Sequence, residues 1–195
     1  MAHNLKEFLG EFHRGIEVCV AGEAPDTLLG VREAFRRFFR DGQGRIAPIA
    51  VVPQPATERE GELAPSDIEA IGRARVAARA LEDRLFGTYH FYLATQSCVH
   101  GLEVGDATHL FVRSWTVLRG VAGETFGSSG SIEVPRRLIG GGDVDASSIA
   151  VLGPRRSGGM LAALTGGLET RRNAVTESTV HALATQFYGF LEDRS

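Results

Sequence analysis

Apolar positions along the chain fall into two rhythms, and the switches between them mark the elements. Leu5, Phe8, Leu9 and Phe12 recur at helical spacing behind Asn4, which predicts a short amphipathic helix over 4–13. Ile16 to Ala21 is a short β-rich run, apolar except at Glu17, and predicts a buried strand. Gly22 to Asp26 follows as a tight loop, and Asp26 is placed to cap a helix reaching Arg40. That helix carries a wide apolar face of Leu28, Leu29, Val31, Ala34, Phe35, Phe38 and Phe39. Ile46 to Val52 predicts the next strand, and Pro53 to Pro65, with three prolines, predicts a surface loop. Ser66 and Glu69 form a capping box for a helix to about Leu85, with Ile68, Ile71, Ala74, Ala78 and Leu81 inward. Tyr89–Thr95, Leu110–Leu118 and Glu124–Phe126 predict strands, and Pro135 opens a short helix that stops at Gly140. Ser157-Gly158-Gly159 predicts a flexible loop. Arg171 to Leu191 predicts one long helix packed through Val175, Val180, Leu183, Ala184, Phe187 and Phe190. Interleaved strands and helices of this kind predict one α/β domain over 15–195, preceded by a helical extension over 1–14.

Composition narrows the class. With 195 residues, 43% hydrophobic and 23% charged, the chain has the makeup of a folded globular domain and not of a disordered one. No window is apolar enough for a membrane span, and Met1 to Arg14 lacks the apolar core of a signal peptide, so a cytoplasmic setting is expected. A net charge of −3 argues against nucleic acid as a partner. The basic residues are all arginine except Lys6, so no lysine is available to a site beyond the N-terminal segment. Cys19 reads as a small buried hydrophobe. Cys98 and His100 share a strand face, but no orienting third group lies nearby in sequence, so Cys98 reads as structural too. The six histidines show no zinc-ligand spacing, and no metal is assigned to them.

Two segments carry candidate chemistry. The loop Gly22 to Thr27, containing Pro25, joins a strand to a helix, the arrangement that aims free backbone N–H groups at an anion. It lacks the glycines and lysine of a P-loop, so a plain turn also explains it. The second segment runs from Gly158 to Arg171. There Gly166 and Gly167 permit close backbone approach, Thr165 offers a hydroxyl, and Arg171 offers a planar cationic fork. A hairpin turn leading into a helix is the structural alternative.

Thr165-Gly166-Gly167, Arg171 and Ala182-Leu183-Ala184 resemble the C-terminal signature of the inosine/xanthosine triphosphatase family, house-cleaning phosphatases of non-standard purine nucleotides. Ile16–Phe35 resembles that family's first strand, its Ser/Thr-x-Asn-Pro-x-Lys loop and the helix after it. Ala70–Leu81 resembles its Gly-Ala-x-x-Arg-Ala helix, Leu93–Val99 its Gly-Ile-Glu-Gly-Gly strand, and Trp115–Pro135 its Ala-Trp strand and Ser-Gly-Ser-x-x-x-Pro segment. The resemblance spans Ile16 to Leu191. It implies an elongated, twisted mixed sheet flanked by helices, a purine nucleotide ligand, Mg²⁺ as the cofactor of any active member, and a homodimer.

The departures shape the functional expectation. Ala24 and Thr27 stand at the asparagine and lysine positions of the first loop, and Gln96 stands at the acid position, followed by Ser97 and Cys98 in place of glycines. Arg32 lies more than one turn on, on another face. Arg75 or Val76 falls at the helix arginine, depending on register. Glutamine ligates a hard dication far less well than a carboxylate. Glu103 and Asp106 read as a solvated acidic turn. The expectation is a divergent, hydrolase-like, nucleotide-binding domain with weak or lost hydrolysis and no cofactor. Its ligand would lie among Gly22, Pro25, Thr27, Thr165, Gly166, Gly167 and Arg171. An active Mg²⁺-dependent triphosphatase is the first alternative, and a protein-interaction module docking through its N-terminal helix is the second.

Overall fold

The computed structural model describes residues 12, 15–40, 47–55, 62–135, 138 and 159–188. Its strands are β1 (Ile16–Ala21), β2 (Ile49–Gln54), β3 (Phe91–Val104), β4 (Ala107–Gly120), β5 (Gly123–Ser128) and β6 (Ile132–Glu133). Its helices are α1 (Pro25–Phe38), α2 (Asp67–Leu85), α3 (Gly159–Thr165) and α4 (Arg171–Gln186). The sheet order is β2-β1-β3-β4-β5, with β6 pairing on β4. β1 is parallel to β2 and β3, whereas β3-β4, β4-β5 and β4-β6 are antiparallel. The chain is therefore one α/β domain with a mixed six-stranded sheet flanked by helices, as the patterning predicts.

Alternation along β1 explains the layering. Val18 and Val20 point to one face, where Val31, Phe35, Phe91, Leu118, Val175, Leu183 and Phe187 form the main core beneath α1 and α4. Cys19 points to the other face and packs with Leu81 and Tyr92 beneath α2. Further along, Ala74 and Ala78 of α2 cover Ala94 and Val117. The small residues let α2 lie close to the sheet.

Several boundaries differ from the sequence expectation for identifiable reasons. Ala24, not Asp26, is the N-cap of α1, because Pro25 occupies the first helical turn, where its fixed φ and missing N–H suit the start. β2 runs through Pro53 to Gln54; within the described sheet its one partner is β1, and an edge strand tolerates the missing donor. β3 and β4 pair from Tyr92–Arg119 out to Val104–Ala107, well past the predicted ends. The turn between them holds Gly105 at φ +60°, a conformation suited to glycine. Ser66 caps α2 as predicted, its Oγ accepting from the Glu69 N–H at 3.2 Å, while the Glu69 carboxylate pairs with Arg73 instead of closing the reciprocal half of the box, and Ile68 points to solvent at 85% exposure. Leu29 is likewise exposed rather than part of the α1 core face. The stretch after Gly159 is the helix α3, not a hairpin.

The predicted helices over 4–13 and after Pro135 lie outside the described residues, except Phe12 and Leu138. Phe12 is buried within this domain, its ring against Phe39, His90 and Phe91. The C-terminal helix is described to Gln186. Its buried face is more polar than the apolar spacing implies, since Thr176, Ser178 and Thr179 are all buried. They are hydrogen-bonded: Thr116 Oγ1 lies 2.7 Å from Ser178 Oγ and 3.3 Å from Thr179 Oγ1, and Thr176 Oγ1 donates to the Gly30 carbonyl at 3.1 Å.

Candidate functional site

α1 and α4 lie side by side and run in the same direction. A Cβ on Gly30 would stand 2.7 Å from the Arg172 carbonyl and 2.9 Å from Val175, so glycine is what lets the two helices touch. Farther along, the Phe38 and Phe187 rings lie 5.5 Å apart. Their N-terminal turns therefore meet at one end of the domain, just beyond the carboxyl end of β1. In open α/β sheets that end is where ligands bind, and two helix N-termini place positive dipole ends there.

A groove of about 480 Å³ opens between these helices, lined by Asp26, Glu33, Arg37, Gly167, Thr170 and Arg172 among others. It joins the two segments that the sequence singled out, through Asp26 of the first and Gly167 and Thr170 of the second. The groove is open and its charge is balanced: Asp26 and Glu33 face Arg37 and Arg172, and Arg37 is held by Glu33 at 2.9 Å. Thr170 caps α4, its hydroxyl accepting from the Asn173 N–H at 3.2 Å.

The predicted site residues divide into committed and uncommitted groups. The Thr165 hydroxyl is committed: it donates to the Leu161 carbonyl at 2.8 Å and accepts from the Glu169 N–H at 2.9 Å. Gly166 and Gly167 adopt φ +64° and +92°, turning the chain from α3 towards α4, and the Gly167 N–H donates to the Ala162 carbonyl at 2.9 Å. Gly22, at φ +110°, donates its N–H to the Gln54 carbonyl at 2.8 Å and ends the β1–β2 ladder. Pro25 starts α1. Thr27 and Arg171 are the uncommitted ones. Thr27 is 1% exposed, yet its Oγ1 has no hydrogen-bond partner, and Arg171 Nε is likewise inaccessible and unpartnered. Neither residue is among those lining the groove, but buried polar atoms are nearly always hydrogen-bonded, so orphans on both flanking segments stand out.

Gln96 has a structural task. Its Nε2 donates to the Glu62 carbonyl at 2.5 Å and to the Ser97 carbonyl at 3.3 Å. The Ala64 backbone continues this tie, with its N–H on the Ser97 carbonyl and its carbonyl under the Val99 N–H, each at 2.9 Å. The segment before α2 thus fills the edge of β3 beyond the end of β1. Glu103, at the hairpin end of β3, accepts from the Thr108 hydroxyl at 2.7 Å, and neither it nor Asp106 lines the groove. His181 is exposed, with Nδ1 2.6 Å from the Ser128 carbonyl.

A second polar cluster lies on the α2 face of the β3–β4 hairpin, and here the sequence reading of Cys98 needs correction. An orienting group does exist: Asp67, in the first turn of α2. Its Oδ1 accepts from Cys98 Sγ at 3.1 Å, Arg113 Nε at 2.8 Å and Trp115 Nε1 at 2.7 Å, and its Oδ2 accepts from Arg113 Nη2. The Arg113 guanidinium also lies 5.1 Å from the Trp115 ring centroid. The hydrogen bonds from Arg113, then those from Trp115 and Cys98, hold the Asp67 carboxyl well below the usual carboxylate range. Burial, and next the Asp67 carboxylate, push the Cys98 thiol up to about 12. Burial and then the Arg113 charge lower His100. Asp67 and Arg113 were missed in sequence because their meeting depends on the β3–β4 register, which pairs Cys98 with Arg113, and on how α2 crosses the hairpin.

No protein-family model matches the chain, and no curated protein matches it. Among solved structures, protein VC0702 from Vibrio cholerae is similar in fold, with a TM-score of 0.59 at 16% identity over 92% of this chain and 97% of that one. At this identity the likeness establishes the fold. No described helix is long and apolar enough to cross a membrane.

Proposed function

We propose that the chain is a divergent nucleotide-binding domain of inosine/xanthosine triphosphatase type, which holds the phosphates of a purine nucleotide between α1 and α4 and hydrolyses them weakly or not at all. The observation that carries this reading is the pair of inaccessible, unpartnered donors, Thr27 Oγ1 and Arg171 Nε, on the two segments beside the groove. An oxyanion accepting from both would relieve two orphaned groups and would meet the positive ends of two helices. Loss of turnover follows from the chemistry that phosphoanhydride cleavage needs. A dication or other cation must spread the phosphate charge, and an aligned water must attack. Gln96 is neutral and engaged with backbone carbonyls, and the first loop carries Ala24 and Thr27 with no lysine in its sequence. The balanced charge of the groove implies modest affinity that weakens with salt.

Burial of Phe12 in the domain's own core removes one of the two aromatic anchors an interaction module would present from its N-terminal segment, which makes docking through that segment the weaker reading. Calorimetric titration of inosine triphosphate into the wild type, Thr27→Val and Arg171→Ala tests the binding claim. Saturable binding lost in both variants supports the groove; binding that ignores both substitutions places the ligand elsewhere. Turnover of inosine triphosphate with Mg²⁺ on the order of 1 s⁻¹ or faster contradicts the claim of lost hydrolysis.

A further inference from the structure

We propose that Asp67, Cys98 and His100 form a binding site for a borderline-soft divalent cation, zinc foremost, separate from the groove between α1 and α4. Their ligand atoms lie within 4.8 Å of one another, the one such cluster among the described residues. They offer one carboxylate, one thiol and one imidazole, a set that favours zinc over magnesium or calcium, which take oxygen ligands.

The ligands sit on elements that fix them. Cys98 and His100 are two apart on β3 and project from the same face. Asp67 is held over that face because the preceding segment is bonded into the β3 edge through Ala64 on both sides of Cys98. The His100 ring stacks on Phe111 at 5.6 Å, which sets its plane. The observation pointing to a missing partner is His100 Nδ1, inaccessible to solvent and without a hydrogen bond. A metal ion or a donor would satisfy it, and none of the described residues donates to it.

The bond balance is simple. The cation forms bonds to Cys98 Sγ, to an imidazole nitrogen of His100 and to Asp67 Oδ1. The Cys98 thiol proton, which now points to Oδ1, leaves to solvent. Arg113 keeps its bond to Oδ2 and yields the Nε contact to Oδ1, and Trp115 yields its contact as well. Three protein ligands leave a fourth position for water. Arg113 is the built-in competitor, since its permanent charge faces the same carboxylate.

Cobalt titration of the full chain reads the site directly, because thiolate-bound cobalt absorbs strongly where cobalt bound to oxygen and nitrogen does not. A saturable thiolate–cobalt band at one equivalent is expected, bleached by zinc, abolished in Cys98→Ser and unchanged in Cys19→Ser. His100→Gln should weaken binding by about tenfold or more, a margin that loss of even a supporting group reaches. Arg113→Met should tighten it. No thiolate band at millimolar cobalt overturns the proposal, as does a band that survives Cys98→Ser. If Cys98→Ser does not fold, His100→Gln decides: an affinity equal to wild type overturns the site.

Discussion

Replacing Gly127 with alanine should loosen α4 from the sheet, and the structure sets the size of the effect. Gly127 lies on β5 directly beneath α4. A Cβ there would stand 2.0 Å from the Ser178 carbonyl oxygen, 2.4 Å from the Ala182 nitrogen and 3.0 Å from His181 Cβ. The first two contacts involve helix backbone, so no side-chain rotation relieves them, and the helix must retreat. Retreat stretches two buried hydrogen bonds, Thr116 Oγ1 to Ser178 Oγ at 2.7 Å and Thr125 Oγ1 to the Ala182 carbonyl at 3.0 Å. Overpacking typically costs about 1–3 kcal/mol, and each hydrogen bond contributes about 1 kcal/mol, so Gly127→Ala should destabilise by about 3–5 kcal/mol. Gly72→Ala is the matched control. It lies inside α2 with nothing within 4 Å of the added Cβ, so helix propensity should dominate and stabilise by about 1 kcal/mol. Urea unfolding followed by far-ultraviolet circular dichroism measures both. A loss below about 1 kcal/mol for Gly127→Ala would refute the seating of α4 on β5, and with it the support of one wall of the groove.

Further outcomes follow from the same structure. Thr170→Ala removes the hydroxyl that caps α4 and should cost about 1 kcal/mol in the same urea experiment, with larger loss of any ligand affinity, since the cap lies in the groove. Alkaline pH should destabilise the fold. Cys98 is pushed up to about 12 and Cys19 to about 11, each chiefly by burial, so the folded state retains thiol protons that the unfolded chain loses above its ordinary value of about 8.5. The contribution is fully present below that value and falls by up to about 1.4 kcal/mol per pH unit per thiol above it. Single Cys→Ser variants should each flatten that slope in urea melts between neutral and alkaline pH; a slope unchanged in both variants would exclude the thiols as its source. At the acid end, stability conferred by the depressed Asp67 is present above the ordinary carboxyl range and is lost as pH falls through and below it. Asp67→Asn should therefore flatten the acid limb of the same pH profile.

Legibility of the fold from sequence followed the physics of each element. The apolar run of β1, the Ser66 cap of α2 and the periodic face of α4 each state their conformation locally, and these elements stand where expected. The β3–β4 hairpin ran longer than its apolar stretch. Its outer half, with Leu102 and Val104 exposed, is held by ladder hydrogen bonds that no burial pattern announces. The polar buried face of α4 was hidden for a related reason: Ser178 and Thr179 are buried only because Thr116 across the sheet supplies their partner. In the candidate site, the two segments were legible as a strand-to-helix turn and a glycine pair before a helix, and both contribute to the groove. Which residues line it was not legible. Asp26 and Arg172 face the groove on helical turns whose rotation is set by Gly30 packing, and Thr165, a hydroxyl beside two glycines, proved to be bound within its own turn. The Asp67–Arg113 pair joins residues 46 positions apart and could not be read from local spacing.

The central claim is that Thr27 and Arg171 await an oxyanion. The most direct measurement is the paired effect of Thr27→Val on stability and on inosine triphosphate affinity. In the ligand-free protein, valine removes a buried hydroxyl without a partner, so stability should hold or rise by about 1 kcal/mol. In the titration, the same substitution should lower affinity at least tenfold, about 1.4 kcal/mol. A variant that is equally stable or more stable and binds weakly is the predicted result. A variant that binds inosine triphosphate as well as the wild type, or a wild type that binds none, would contradict the account.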